Sequence, residues 1–499
     1  MDLMHGKSAG ASLLVMALAS CSDSTPFRPP SSATQIVPVD GSGQTAVAGS
    51  ALPNPLRVLV TDAGDDPVPG VTVTWSVVDG GGSVTASTAT DELGIASAEV
   101  TLGTCIGEQH IQAEIPDLLG SPVVFTASAT ADPSAEGLKV VGGGCNVPDR
   151  FSSDLWVHGN YAYTGTWGSR EGNIGNALNT WFLDASGAPA LVSSVTVPGT
   201  GTVSDVQVSD DGQLLVVSGE RGTNGGIFLY GLSDPANPSL LSSALAGPAG
   251  VHTVSLARID ERLYGFAARN TSVNPDPSED PALLIYDLTD PLAPLLVARQ
   301  VIPRNYGIHD TFVREGIAFV FAWDTGVIIY DVGNGLAGGS PAAPAEISRL
   351  ITNENGVPGG PAVHNGWWFH NSVTGERRYL FIGQEGPSVT GTESSGDIHV
   401  VDVSDLSNPT EVAFFHMNGA GTHNFWMDEE RQILYAAYYN GGVIALDVSG
   451  TLTGNLSNRL LWQSRPGGAG NTFTWGVQLA NGFLYAIDML TGLWQLTTE

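Results

Sequence analysis

From Gln35 onward the apolar positions come in short bursts cut by Gly, Pro, Asn and Asp, and helical spacing is absent. Between Thr34 and Asp132 these bursts alternate with polar residues. Val71-Thr72-Val73-Thr74-Trp75-Ser76-Val77 has period two and stops at Gly80-Gly81-Gly82. Leu56–Val60, Ala96–Leu102, His110–Ile115 and Val123–Ala129 repeat the form. Strands this short and closely spaced predict an all-β sandwich over residues 34–132. The cluster Asp62, Asp65, Asp66 falls between two strands and reads as turn chemistry, with a calcium site as the alternative.

Beyond Asp132 the pattern changes and repeats itself. Each unit opens with one short strand, adds a second that ends near Gly, and closes on an apolar run. Those runs are Thr180–Asp184, Ile227–Gly231, Leu283–Asp287, Val327–Asp331, Ile398–Asp402, Val443–Asp447 and Gly492–Leu496. Several lead into a turn such as Ser233-Asp234-Pro235 or Thr289-Asp290-Pro291, where Pro suits the approach to an outer edge strand. Seven self-similar β units over residues 137–499 predict a seven-bladed β-propeller rather than a solenoid. The last unit shows three strands, so a closed ring takes its outer strand from elsewhere, and residues 138–142 are the expected donor.

Two resemblances follow from these residues. LPNPLRVLVTDAGDDPVPGVTVTWSV and TDELGIASAEVTLG resemble bacterial Ig-like domains of the invasin/intimin type, which implies a spacer or adhesion module. The repeated run resembles the LVIVD repeat of bacterial surface β-propellers, although Gly231 replaces the closing Asp in one unit and the last unit lacks it.

The first residues change the picture of location. Ala11–Ser20 is an apolar run too short to span a bilayer, and Leu18-Ala19-Ser20-Cys21 resembles a bacterial lipobox. The resemblance implies a signal peptide over 1–20, a lipidated Cys21, and a Pro/Ser-rich tether over 21–33. It places the protein in the bacterial cell envelope, at the outer membrane or cell surface, touching membrane only through its lipid. Cys105 and Cys145 then remain as an even pair in an oxidising setting, either bonded or two unrelated thiols.

With 50 acidic and 19 basic residues the net charge is −31, so nucleic acid is excluded as a partner. No nucleophile elbow, P-loop, HExxH or dinucleotide fingerprint is present, so the sequence favours binding over catalysis. A monomer that holds a protein, glycan or small-molecule ligand is the expectation.

Aligning the first strands gives one informative column: Ser153, Ser204, His252, His309, His364, His423, Trp475. The next column reads Asp154, Asp205, Thr253, Asp310, Asn365, Asn424, Gly476. Innermost strands line the central channel of a propeller, and strict alternation would let only one of the two columns face it. Four imidazoles around one axis would suit copper or zinc. Nitrous oxide reductases and the selenium-binding/methanethiol oxidase family are similar in using propeller histidines for copper, a likeness of fold only. The alternative is packing between blades. The turns after the second strands carry Trp167, Glu220, Arg221, Arg269, Trp323, Asp324, Glu385 and Tyr439, a set suited to a binding mouth. His370, six residues after His364, is expected at the far end of its strand.

Overall fold

The computed structural model describes residues 32–131, 137–184, 188–270, 280–302, 307–353, 361–386, 393–468 and 470–498. The signal segment, Cys21 and nearly all of the tether lie outside the described residues. Among the described residues no helix is long and apolar enough to cross a membrane.

The first module pairs a three-stranded sheet (Gln35–Asp40, Leu56–Thr61, Ile95–Ala98) with a five-stranded one. The larger sheet contains Thr72–Val77, Gly107–Glu114 and Val123–Thr130, and alternate residues of the last strand are buried. Val58 and Ala96 from one sheet pack in one core with Val73, Trp75, Ile111 and Phe125 from the other. The Trp75 indole donates to the Thr88 hydroxyl at 2.8 Å, which satisfies its polar edge inside that core. Residues 96–102 are split: Ile95–Ala98 and Val100–Leu102 belong to different sheets on either side of the exposed Glu99. One Asp62 carboxylate oxygen accepts the amides of Gly64 (2.9 Å) and Asp66 (3.0 Å), so this cluster is built as a turn.

Among the described residues, 140–496 form seven large sheets, six of four strands and one of five, besides a two-stranded hairpin of Ser169–Arg170 with Asn173–Ile174. Their inner strands are Phe151–His158, Val206–Val208, Thr253–Ile259, Asp310–Arg314, Val363–Phe369, Phe425–Asp428 and Thr474–Ala480. Each touches the next, and the last touches the first, so the sheets close into a ring. The apolar runs of the repeat are third strands, buried on both faces between neighbouring sheets; Leu283, Leu284 and Ile285 are examples. That is why they read as continuous hydrophobic runs rather than alternating ones. The closing Asp has a local task. Asp331 accepts the amides of Gly333, Asn334, Gly335 and Ala337, and Asp287, Asp402 and Asp447 each accept an amide two residues on.

The seventh sheet takes its outer strand from before the first. Val140–Gly143 runs antiparallel to Gly492–Leu496, with Val140 opposite Leu496 and Gly143 opposite Trp494. The ladder is displaced from the expected 138–142: Leu138 turns into a core with Tyr435 and Trp494 instead. The ring is also joined by Gln478 of the seventh inner strand. Its side chain accepts the Val157 amide (2.6 Å) and donates to the Val157 carbonyl (3.0 Å) of the first. Gln478 is 5% exposed. Gln478→Leu leaves both backbone groups without these partners and is expected to cost about 1–3 kcal/mol in urea denaturation. An unchanged midpoint would mean that packing alone closes the ring.

Candidate functional site

Where each inner strand begins, the backbone does not alternate. The amides of His252, His309 and His423 donate to the carbonyls of Ala268, Phe321 and Ala437. Thr253 and Asp310 pair with the same Ala268 and Phe321, and the Ala437 amide returns to the Asn424 carbonyl. Two residues thus oppose one, which is a β-bulge; register also shifts across His364 and across Trp475. The bulge corrects the expectation that only one column reaches the channel. Members of both columns line the cavities along the axis, the histidine column nearer one mouth and the Asp/Asn column beneath it.

The four histidines meet. Ring centroids lie 4.3 Å apart for His252–His309, 3.6 Å for His309–His364 and 4.1 Å for His364–His423. Trp475, from the same column, stacks on His423 at 4.8 Å, and the His423 Nδ1 lies 2.6 Å from the Trp475 carbonyl. His252 Nε2 is 2.8 Å from His309 Nε2, and His252 Nδ1 is 3.1 Å from the Glu220 carboxylate. One ring nitrogen of His309, one of His364 and one Glu385 oxygen all lie within 4.8 Å of one another. Neither nitrogen of the fully buried His364, nor Nδ1 of His309, has a hydrogen-bond partner among the described residues. Glu385 is oriented by the Tyr439 hydroxyl, which donates to its Oε1.

Electrostatics keeps most of this cluster neutral. Burial, and then the neighbouring imidazoles, hold His309 and His364 well below the ordinary histidine range. Burial takes His423 down to about 3. For His252 burial pulls the same way, but the Glu220 carboxylate outweighs it and the net shift is upward. Burial raises Glu385 to about 7, against the Tyr439 hydrogen bond. Neutral imidazole is the form that ligates a metal, and two histidines with one carboxylate are a donor set that leaves a coordination position open.

Beside the cluster lies a cavity of about 140 Å³ walled by Trp167, Trp323 and Trp475, with Arg221 and Asn270 at its edge. Arg221 lies over the Trp167 ring at 4.9 Å. Arg221, Trp323 and Tyr439 hold left-handed backbone (φ 57°, 47° and 44°), a conformation bulky residues adopt only where the surroundings enforce it. Of the residues expected at the mouth, Trp167, Glu220, Arg221, Trp323, Glu385 and Tyr439 touch or line the cluster. Two do not: Arg269 is buried at the end of its strand outside the cavity lining, and Asp324 sits partly exposed in the turn after Ile317–Phe321. His370 is remote, beside Trp368 and 3.8 Å from Glu315. Glu220 and His252 come from neighbouring blades and share no signature in the sequence, whereas Glu385 directly follows the strand that pairs with that of His364, Val363 lying opposite Gln384. A third layer, Trp156, Phe312, Trp367 and Trp426, was readable three residues after the column.

Cys105 and Cys145 are bonded, with Cα atoms 5.4 Å apart, and tie the first module to the strand that closes the ring.

Residues 38–131 match the bacterial Ig-like domain (group 1) family. No curated protein matches the chain. Among solved structures, the β-propeller domain of Cps50 (Swd1) from Myceliophteria thermophila is 12% identical, over 70% of this chain and 98% of that one, with a TM-score of 0.46. Sqt1 from Chaetomium thermophilum is 14% identical, over 72% and 85%, with a TM-score of 0.49. The chain is an all-β protein, an Ig-like module followed by a closed ring of β-sheets. A bacterial Ig-like domain points to a bacterial extracellular protein.

Proposed function

We propose that this chain is a metal-binding protein of the bacterial cell envelope. In this reading Cys21 carries the lipid, the Ig-like module is the spacer, and the propeller presents a copper or zinc centre. His309, His364 and Glu385 are the ligands, with His252 and His423 packed against them. The observation that carries the reading is the convergence of three donors within 4.8 Å around a buried His364 whose nitrogens have no partner among the described residues. The fully buried His399, outside the cluster, satisfies one ring nitrogen with Glu411 at 3.0 Å, whereas His364 satisfies neither among the described residues. Glu220 and Tyr439 would then serve as outer partners that fix ligand orientation. The walled cavity would leave room for a small ligand at the open position.

The test is elemental analysis of protein stripped of metal, loaded separately with zinc(II) or copper(II), and dialysed. About one ion per chain is expected, and less than about a tenth of that in a His309→Ala/His364→Ala variant that melts cooperatively. A wild-type chain that retains no ion, or a double variant that retains it, leaves the cluster as packing.

A further inference from the structure

We propose that the other end of the channel is a second binding site, for a small organic cation such as an alkylammonium group. It does not depend on the histidine centre. Moving three residues along the inner strands from the histidine column, the side chains become Trp156, Gln207, Ser255, Phe312, Trp367, Trp426 and Gln478. In extended backbone this is on the order of 10 Å further along the axis. The aromatics form one arc: Phe312–Trp367 centroids are 5.1 Å apart, Trp367–Trp426 5.3 Å, and Trp426–Trp156 6.0 Å. All four rings are half-buried: each packs in part against a hydrophobic core and keeps the rest of its surface open.

These rings wall a cavity of about 190 Å³ whose deeper lining carries Asp154, Asp205 and Asp310, and no Lys, Arg or His lines it. Each carboxylate is held in place by a backbone amide: Leu155 to Asp154 (2.8 Å), Val254 to Asp205 (2.7 Å), Thr311 to Asp310 (2.7 Å). Asn424 adds a second donor to Asp154 at 2.8 Å. Asn365 lines the same cavity at 3% exposure, and its Oδ1 has no partner among the described residues. Rigid, amide-held carboxylates behind an aromatic arc are complementary to a cation with an apolar body. The carboxyl oxygens turn negative potential on the cavity and accept from an ammonium N–H, and the ring faces bind the charge by cation–π contact. The only nearby guanidinium at that mouth among the residues lining the adjoining depression, Arg314, is engaged by Glu429 at 2.5 and 3.1 Å and does not compete.

The experiment titrates the full chain with tetramethylammonium and with n-butylammonium at constant ionic strength, read by tryptophan fluorescence and by calorimetry. Saturable binding of one cation per chain is expected, weakening as salt rises. Asp205→Asn and Trp426→Leu are each expected to weaken it about tenfold or more, while the metal content of the loaded chain stays as in the wild type. Gln207→Lys puts a fixed charge in the cavity and is expected to abolish binding even if Trp426→Leu fails to fold. A response that sodium or calcium chloride reproduces overturns the proposal. So does tighter binding of a neutral methyl glycoside, or an affinity unchanged in Asp205→Asn and Gln207→Lys.

Discussion

Replacing Cys105 and Cys145 together by Ala is expected to lower the stability of the first urea transition by about 4 kcal/mol. The bond spans a sequence separation of 40, and closing a loop of that length removes about this much free energy from the unfolded chain's entropy. Its position makes the loss visible at the module boundary. The residues after Cys105 enter the propeller itself: Ile106 packs with Leu138, Val140 and Trp494, and its amide reaches the Gly143 carbonyl at 3.4 Å. Asn471 adds a bond to the Thr104 hydroxyl at 3.3 Å. Without the bond these few contacts must hold the Ig-like module and the closing strand together. The variant is therefore expected to lose its first transition at lower urea, with proteolysis near residue 131 accelerated. A midpoint shifted by less than about 1 kcal/mol would mean that packing alone fixes the junction.

Asp310→Asn is expected to act in the opposite direction, stabilising the protein at alkaline pH. Burial, and then the neighbouring Asp205, push the Asp310 carboxyl up to about 7. In the unfolded chain it titrates near its ordinary value of about 3.9. The folded state thus keeps a proton that the unfolded chain releases, so stability present below pH ~4 is lost as the pH rises through 7. Once ionised, the group costs up to about 4 kcal/mol, shared with Asp205 and with Asp154, itself raised by burial and by Asp205. Asparagine carries no such charge and keeps an oxygen for the Thr311 amide. Urea midpoints at pH 4, 6 and 8 check this: the variant should gain most at pH 8 and nothing at pH 4. A variant no more stable than wild type at pH 8 would contradict it.

Much of this was legible in the chain. Period-two alternation at Val71–Val77 and Val123–Ala129 marked half-buried strands, and the uninterrupted runs such as Leu283–Asp287 marked strands covered on both faces. The histidine column was visible because one position per unit recurs whenever each unit makes one blade. What the column could not show was the bulge at its own position. Strict alternation would have turned either His309 or Asp310 away, yet the two-against-one pairing lets both reach the channel. Asp324 illustrates the reverse: it sits one residue from Trp323, and that step takes it out of the cavity.

The sequence by itself determined the strands, the seven-unit repeat, the turn caps and the even cysteine pair, because these depend on periods and neighbours only a few residues apart. Tertiary structure alone decided that Tyr439 of one blade orients Glu385 of its neighbour, that Glu220 meets His252, and that a bulge lets both columns reach the channel. Those distances are set by backbone pairing and by the curvature of a closed ring, which no period along the chain records.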